Sequence, residues 1–243
     1  MGAERLLQDL GVTEPSDIDL RAIAWHLGLE VVYRPLSGCE ARIVAIGNRG
    51  IISIDESKAP RRRRFSIGHE IGHWEYHRGL LLSCRSDEIG NVHRQVPDAE
   101  RLANRYAADL LMPRFLFHQR VASIKRLTWT AIRQLSQEFD TSTVATAIRT
   151  VEMHVHPVIL VCYAKTGRRW FVLSKALPIP CYPLEELDAR SHAMTVLFGG
   201  TADERPRPSS SPVWLSGRGT GALRVTEQTA LCENEVLTLL TVE

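Results

Sequence analysis

The most informative stretch of the sequence contains two histidines and a glutamate in the order His-Glu-x-x-His. His69, Glu70 and His73 lie in the segment FSIGHEIGHWEYH. An α-helix turns by about 100° per residue, so side chains four positions apart point in nearly the same direction and both imidazoles can reach one metal ion. Glu70 points to one side, where its carboxylate can take a proton from a water molecule. The spacing therefore predicts a metal site with Glu70 as general base.

A catalytic zinc site normally uses three protein ligands and keeps one position open, so a third ligand is needed. His77 lies about 12 Å along the helix axis from His69, which is too far for both to bind one ion with bonds of about 2 Å. PDAERLANRYAADLLMP predicts a second amphipathic helix, and Glu100 lies on the flank of its apolar stripe. A metal ion there would compensate the buried carboxylate, so Glu100 is the predicted third ligand. Three residues remain alternatives: Glu88, His93 and Asp98.

The residues before the metal motif predict a helix and a small sheet. SDIDLRAIAWHLG has helical spacing of apolar residues and a cap at Ser16 or Asp17. LEVVYRPL predicts a strand, and RIVAIG and GIISID flank a two-residue turn as a hairpin. We expect these strands to form a small antiparallel sheet. Gly68 and Gly72, on one face of the metal helix, each cost about 1 kcal/mol relative to alanine, which indicates close approach of a neighbouring backbone.

The pattern changes twice after the second motif helix. TAIRQLSQEF and STVATAIRTVE predict two short helices with helix-turn-helix spacing. Because Arg149 is the one strong base-reading side chain in the second of them, DNA binding through residues 130–152 is a minor alternative. After Pro157, β-branched residues alternate and predict strands, whereas the polar GGTADERPRPSSSP predicts an unpacked loop. We predict a core that contains the metal site at 1–114, a helical segment at 115–155 and a β-rich part of regulatory or recruiting role at 156–243.

Composition restricts the remaining classes of function. The chain has 243 residues, with 30 Lys+Arg against 28 Asp+Glu, so its overall charge does not indicate a polyanion-binding protein. Five scattered cysteines without CxxC spacing, no signal peptide and no apolar run of membrane-spanning length predict a soluble cytoplasmic protein. The run Arg61 to Arg64 predicts a solvated surface or a docking site for an acidic substrate segment. Cys39 stands where a peptide deformylase would place a ligand, but the second motif helix favours Glu100.

The two motif helices together resemble a known family. RFSIGHEIGHWEYH and ERLANRYAADLLMP are similar to the paired motifs of the ImmA/IrrE family of intracellular zinc metallopeptidases, over about residues 20 to 155. The resemblance implies an α+β fold: a zincin-like core in which a small antiparallel sheet accompanies the two motif helices, then a helix-turn-helix-like segment and a smaller β-rich part. The chain departs from many members by having Leu102 where they have a second glutamate.

The resemblance also implies an activity. It assigns His69, His73 and Glu100 as ligands of Zn²⁺ and Glu70 as the base of an endopeptidase. It further implies that the substrate is a regulatory protein such as a helix-turn-helix repressor, and a role in stress responses. A regulatory module that senses a metal or a partner without cleaving it is the alternative.

Overall fold

The computed structural model describes residues 2–76, 98–232 and 235–243, with the backbone alone for Ile46. Helices and small sheets alternate along these residues in an α+β fold. The chain forms two compact units: Met1–Phe117 with Gln137–Ser142, and His118–Ser136 with Thr143–Glu243. The three-domain division stays a prediction, since residues 115–155 are shared between these units. None of the helices in the described ranges has the length and apolarity needed to cross a bilayer.

The first unit contains a three-stranded sheet. Its strands are β1 (Leu29–Arg34), β2 (Ala41–Ile46) and β3 (Arg49–Asp55). The predicted hairpin is confirmed, because β2 pairs antiparallel with β3. The prediction of an antiparallel sheet is wrong for β1, which runs parallel to β3 with Val31 opposite Ile52. Apolar alternation identifies strands but not their partners, and here the fully buried Ile52 and Ile54 place β3 at the centre, in the order β1-β3-β2.

The helices of the first unit confirm both motif helices. They are α1 (Ala3–Asp9), α2 (Leu20–His26), α3 (Pro60–Tyr76), α4 (Asp98–Leu111) and the beginning of α5 (Arg114–Ser123). The predicted cap of α2 is wrong, because Asp19 accepts the backbone N–H groups of Arg21 and Ala22. Residues 66–74 of α3 are all buried, so the metal motif lies on a core helix rather than a surface helix.

The arginine run at the start of α3 contacts other elements of the first unit. Arg61 and Arg64 both pair with Asp140, at 3.3 Å. Arg62 donates to Glu40 at 2.6 Å, and Arg63 lies over a tyrosine ring with its guanidinium carbon 5.4 Å from the ring centroid. Consecutive helix residues point in four directions, so the four arginines contact different neighbours around the first turn of α3 and do not form one charged patch.

The second unit is built on a five-stranded antiparallel sheet in the order β5-β4-β10-β9-β7. Its strands, with the short pair β6 and β8, are β4 (Val158–Ala164), β5 (Gly167–Leu173), β6 (Tyr182–Pro183), β7 (Arg207–Ser210), β8 (Leu215–Ser216), β9 (Arg224–Cys232) and β10 (Glu235–Val242). Residues 158–163 are all buried, because apolar clusters cover both faces of the sheet.

Four helices of this region supply those clusters. They are α6 (Trp129–Glu138), α7 (Thr143–Glu152), α8 (His192–Leu197) and α9 (Ser211–Trp214). Apolar side chains of α6 and α7 belong to the cluster on one face, and those of α8 and α9 to the cluster on the other. The two predicted helices after residue 129 are therefore confirmed as elements, and they pack on the sheet of the second unit.

The polar segment GGTADERPRPSSSP is more ordered than its composition predicts. Arg207–Ser210 forms edge strand β7, which pairs with β9. Pro208 is tolerated there because an edge strand leaves one side of its backbone without a partner strand. The side chain of Glu204 pairs with Arg133 of α6, and the backbone N–H of Asp203 donates to His192 Nε2 at 3.1 Å. The prediction of an unpacked loop is therefore wrong for these residues.

Candidate metal centre

Two glycines of α3 allow α4 to approach very closely. A Cβ added at Gly72 would lie 2.9 Å from the Cα of Ala103, and one added at Gly68 would lie 3.3 Å from the Cα of Ala107. Only glycine fits at the first position without displacing backbone. This confirms the close backbone approach expected from the sequence, and it brings the carboxylate of Glu100 within reach of the histidines on α3.

The structure brings three of the predicted site residues together at this crossing. Glu100 Oε2 lies 3.2 Å from His69 Nε2, and Glu100 Oε1 lies 3.2 Å from His73 Nε2. The two Nε2 atoms are 3.0 Å apart. All three side chains are buried, and they are the one group of three or more metal-binding residue types found within the described ranges.

These distances fit a metal ion. Bonds of about 2.0 to 2.1 Å in a tetrahedral site place neighbouring ligand atoms about 3.3 Å apart, close to the spacings among the three residues. A neutral imidazole offers one lone pair at its unprotonated nitrogen, and a carboxylate carries negative charge. Packing such groups together in a buried site is costly unless a cation or shared protons lie between them. The donor set and its geometry therefore match those of a metal centre.

The ionisation of the cluster favours metal binding. Burial lowers the pKa of His69 and keeps its imidazole neutral, as a metal ligand must be. Burial alone would raise the pKa of Glu100, but the neighbouring imidazoles of His69 and His73 outweigh it and lower that pKa to about 2. Glu100 is therefore a carboxylate at neutral pH, and its negative charge attracts a divalent cation.

Two further polar residues lie in this part of the core. Glu70 follows His69 directly on α3 and is fully buried. Its assignment as general base stays a prediction. Asn104 lies one turn after Glu100 on α4, and its Oδ1 is 3.0 Å from His69 Nδ1. Sequence reasoning placed Asn104 on the same face as Glu100 but gave it no role.

Comparison with known proteins agrees with this site. A family model described as Peptidase_M78, IrrE N-terminal-like domain, matches residues 24–151, which include both motif helices. The chain belongs to the Peptidase_M78 family. The match confirms the resemblance to ImmA/IrrE proteins, and it supports a metal-dependent peptidase as the class of protein.

Structural comparison extends the similarity beyond the Peptidase_M78 domain. A Mycobacterium tuberculosis transcriptional regulator has a similar fold, with a TM-score of 0.58 and 16% sequence identity. The alignment covers 98% of this chain and 73% of that chain. No curated protein sequence matches the chain significantly. At this identity the structural match shows the fold alone.

The other candidate ligands that lie within the described ranges do not join the cluster of this Peptidase_M78 domain. Asp98 has a side chain that is 82% exposed and pairs with Arg101 at 2.6 Å. Cys39 lies outside the cluster as well, which removes the support for a deformylase-like site. Leu102, where the sequence was expected to depart from the family motif, is 45% exposed, so that position does not face the buried histidines. Three residues lie outside the described ranges: His77, Glu88 and His93.

The helix-turn-helix-like segment does not present the expected DNA-reading side chain. Arg149 is buried and lies 4.0 Å from Glu152, while Thr146 is fully buried. A recognition helix must expose such side chains to base edges in the major groove. The structure therefore gives no support to DNA binding through α7.

Proposed function

We propose that this Peptidase_M78 protein is a zinc-dependent endopeptidase that cleaves a regulatory protein in the cytoplasm. The observation that carries the proposal is the convergence of His69, His73 and Glu100, with ligand atoms 3.0 to 3.2 Å apart in a buried site. Two imidazoles and one glutamate form the ligand set of several catalytic zinc sites, in which the fourth position stays open.

The metal and the protein would contribute different parts of the reaction. When bound, zinc supplies a Lewis acid that polarises the scissile carbonyl and lowers the pKa of a water molecule. His69, His73 and Glu100 would hold the ion, and the close approach of α3 and α4 at Gly72 and Ala103 keeps these three side chains together.

Glu70 is the proposed general base. It takes the proton of the attacking water on its carboxylate and passes that proton to the leaving amine, so no net proton is consumed by the side chain. Its place on α3, between the two histidines, keeps it beside the reacting groups without making it a ligand. Positioned acid–base catalysis of this kind contributes about 10²-fold to 10⁴-fold to the rate.

The sheet of the first unit provides a place for an extended substrate. Strand β2 lies at the edge of the order β1-β3-β2, with Arg42, Val44 and Ala45 exposed. A substrate segment can add to such an edge as a further strand, and its backbone then supplies most of the hydrogen bonds. Cleavage would fall in an exposed or locally unfolded linker of the substrate, such as one within a helix-turn-helix repressor. The second unit would then regulate activity or recruit the substrate.

The test compares the wild type with Glu70→Gln and with Glu56→Gln, an exposed control with the same chemical change. We expect about one zinc per chain in all three proteins, because none of the changes removes a ligand. Proteomes of cells that carry each protein, at rest and under stress, should show one regulator that shortens with the wild type and the control but not with Glu70→Gln.

Two results would contradict the proposal. If the wild-type protein binds no zinc, the proposed metal site is wrong. If no protein is shortened, while Glu70→Gln alters transcription as the wild type does, a non-proteolytic module that senses a metal or a partner replaces the peptidase.

A further inference from the structure

A buried hydrogen bond joins the metal cluster to a residue outside it. Asn104 Oδ1 lies 3.0 Å from His69 Nδ1, and both side chains are buried. The bond crosses between α4 and α3, so it depends on the close packing of the two helices. An amide oxygen only accepts, so the proton in this bond belongs to His69 Nδ1.

This hydrogen bond decides which imidazole nitrogen of His69 has a free lone pair. A neutral imidazole carries one N–H, so a proton on Nδ1 leaves Nε2 unprotonated. Nε2 is the atom that faces the other ligand atoms, 3.2 Å from Glu100 Oε2 and 3.0 Å from His73 Nε2. The opposite tautomer would point a hydrogen into the position that a metal ion would take.

We propose that Asn104 is a positioning residue, which holds His69 in the tautomer and ring orientation that bind the metal through Nε2. The inference rests on the proposed metal site and assigns it a residue that binds neither metal nor substrate. Asn104 and Glu100 are four residues apart on α4, so they share one helix face. Helix α4 therefore carries the ligand Glu100 and also Asn104, which orients the ligand His69. The packing of α4 against α3 determines both contacts.

An asparagine at this position has a specific effect. Groups that accept the second N–H of a metal-bound histidine raise its basicity as well as fix its orientation, and their loss typically costs 10-fold to 100-fold in metal affinity. A neutral amide provides the acceptor without adding another charge to a buried site that already contains the Glu100 carboxylate. Asn104 therefore affects zinc affinity without being a ligand.

The experiment compares zinc affinity among the wild type, Asn104→Leu and Asn104→Asp by competition with a chromophoric chelator at fixed pH. Leucine has nearly the same size but accepts no hydrogen bond, so we expect zinc affinity to fall 10-fold to 100-fold. Aspartate retains an oxygen at the same place, so we expect affinity equal to or above that of the wild type. Urea unfolding of the metal-free proteins shows whether each variant folds.

A spectroscopic measurement separates positioning from packing. Long-range ¹H–¹⁵N spectra of the zinc-loaded wild type and of Asn104→Asp should show His69 protonated at Nδ1. The inference is overturned if folded Asn104→Leu binds zinc as tightly as the wild type. It is also overturned if Asn104→Asp loses zinc 10-fold or more, a result that stands even where the leucine variant fails to fold. Wild-type protein without zinc would instead contradict the proposed function itself.

Discussion

Buried polar side chains are used differently in the helix pair α3/α4 and in the five-stranded sheet of the second unit. In the helix pair, His69, Glu100 and Asn104 contact one another. In the sheet, Gln228 donates to the backbone oxygen of Leu127, and Glu227 accepts the backbone N–H of a residue in α8. Buried polar side chains that form hydrogen bonds with backbone atoms stabilise the fold. Buried polar side chains that contact one another at a cost to stability indicate a functional site.

The two regions also differ in what holds them together. Apolar clusters cover both faces of the sheet, so burial of apolar surface stabilises it. The helix pair places polar groups in its core and relies on a backbone contact at Gly72, where no side chain fits. We therefore expect the helix pair to be sensitive to metal and to single added methyl groups.

The largest effect should follow removal of the carboxylate from the cluster. Glu100→Ala leaves two histidines on α3 without their third partner, so zinc should fall from about one per chain to near zero after dialysis. Asp98→Ala is the matched control, because Asp98 is on the same helix but exposed. Elemental analysis of both proteins checks the expectation. Full zinc retention in Glu100→Ala would contradict the ligand assignment and make the helix pair a structural core like the sheet.

A shorter chain tests whether the two regions are independent. A chain that ends at residue 155 keeps every described residue of the first unit but removes the sheet on which α6 and α7 pack. We expect it to retain about one zinc, while amide hydrogens of α7 exchange much faster than in the full chain. Trp129 and Ile132 become exposed, so association through these apolar side chains is expected. A folded shorter chain that binds no zinc would show that the metal site needs the second unit.

The glycines of α3 provide a graded test of the helix crossing. Gly72→Ala places a methyl group 2.9 Å from backbone, whereas Gly68→Ala places one at 3.3 Å. Overpacking of a core costs about 1 to 3 kcal/mol, and alanine regains about 1 kcal/mol of helix propensity. We expect Gly72→Ala to lower the free energy of unfolding and weaken zinc binding, and Gly68→Ala to be nearly neutral. If urea unfolding gives the same free energy for both variants, α3 and α4 can move apart to accommodate the added methyl group.

The sequence was sufficient to predict that His69, His73 and Glu100 lie together, because the main features of this cluster are local. The spacing of His69 and His73 acts within one helix, and Glu100 was found from the edge of an apolar stripe on the next. Gly68 and Gly72 lower the helix propensity of α3, and this unfavourable choice of residues predicted a close contact with a neighbouring backbone. The role of Asn104 was not predictable, because it depends on the register between α3 and α4, which no local pattern encodes.

The sheets were less predictable for the same reason. Nothing in LEVVYRPL indicates that β1 lies beside β3 and parallel to it, since pairing is decided by non-local packing. Strand β9 has no clear apolar pattern in the sequence, because Glu227, Gln228 and Thr229 are polar although they are buried. β7 was missed because a proline-rich polar segment is tolerated at a sheet edge.

The smallest expected effect concerns a buried acid in the second unit. Burial raises the pKa of Glu227, even though its carboxylate accepts the backbone N–H of His192 at 3.0 Å. The pKa of Glu227 is therefore higher in the folded protein than in the unfolded chain. At low pH the carboxyl group is protonated in both states and does not affect stability, whereas its ionisation destabilises the fold as pH rises through the folded pKa. Glu227→Gln keeps an acceptor for His192 and removes the ionisation. It should match the wild type at low pH and become the more stable protein as pH rises.

The measurement is urea unfolding of both proteins from about pH 4 to about pH 8, with the free-energy difference plotted against pH, because groups common to both proteins cancel in that difference. Glu185→Gln, at a side chain that is 90% exposed, is the control for the same chemical change. Parallel curves for Glu227→Gln and the wild type would mean that Glu227 ionises in the sheet as easily as in water. In that case the buried polar groups of the second unit would carry no cost, and the contrast with the helix pair would rest on convergence alone.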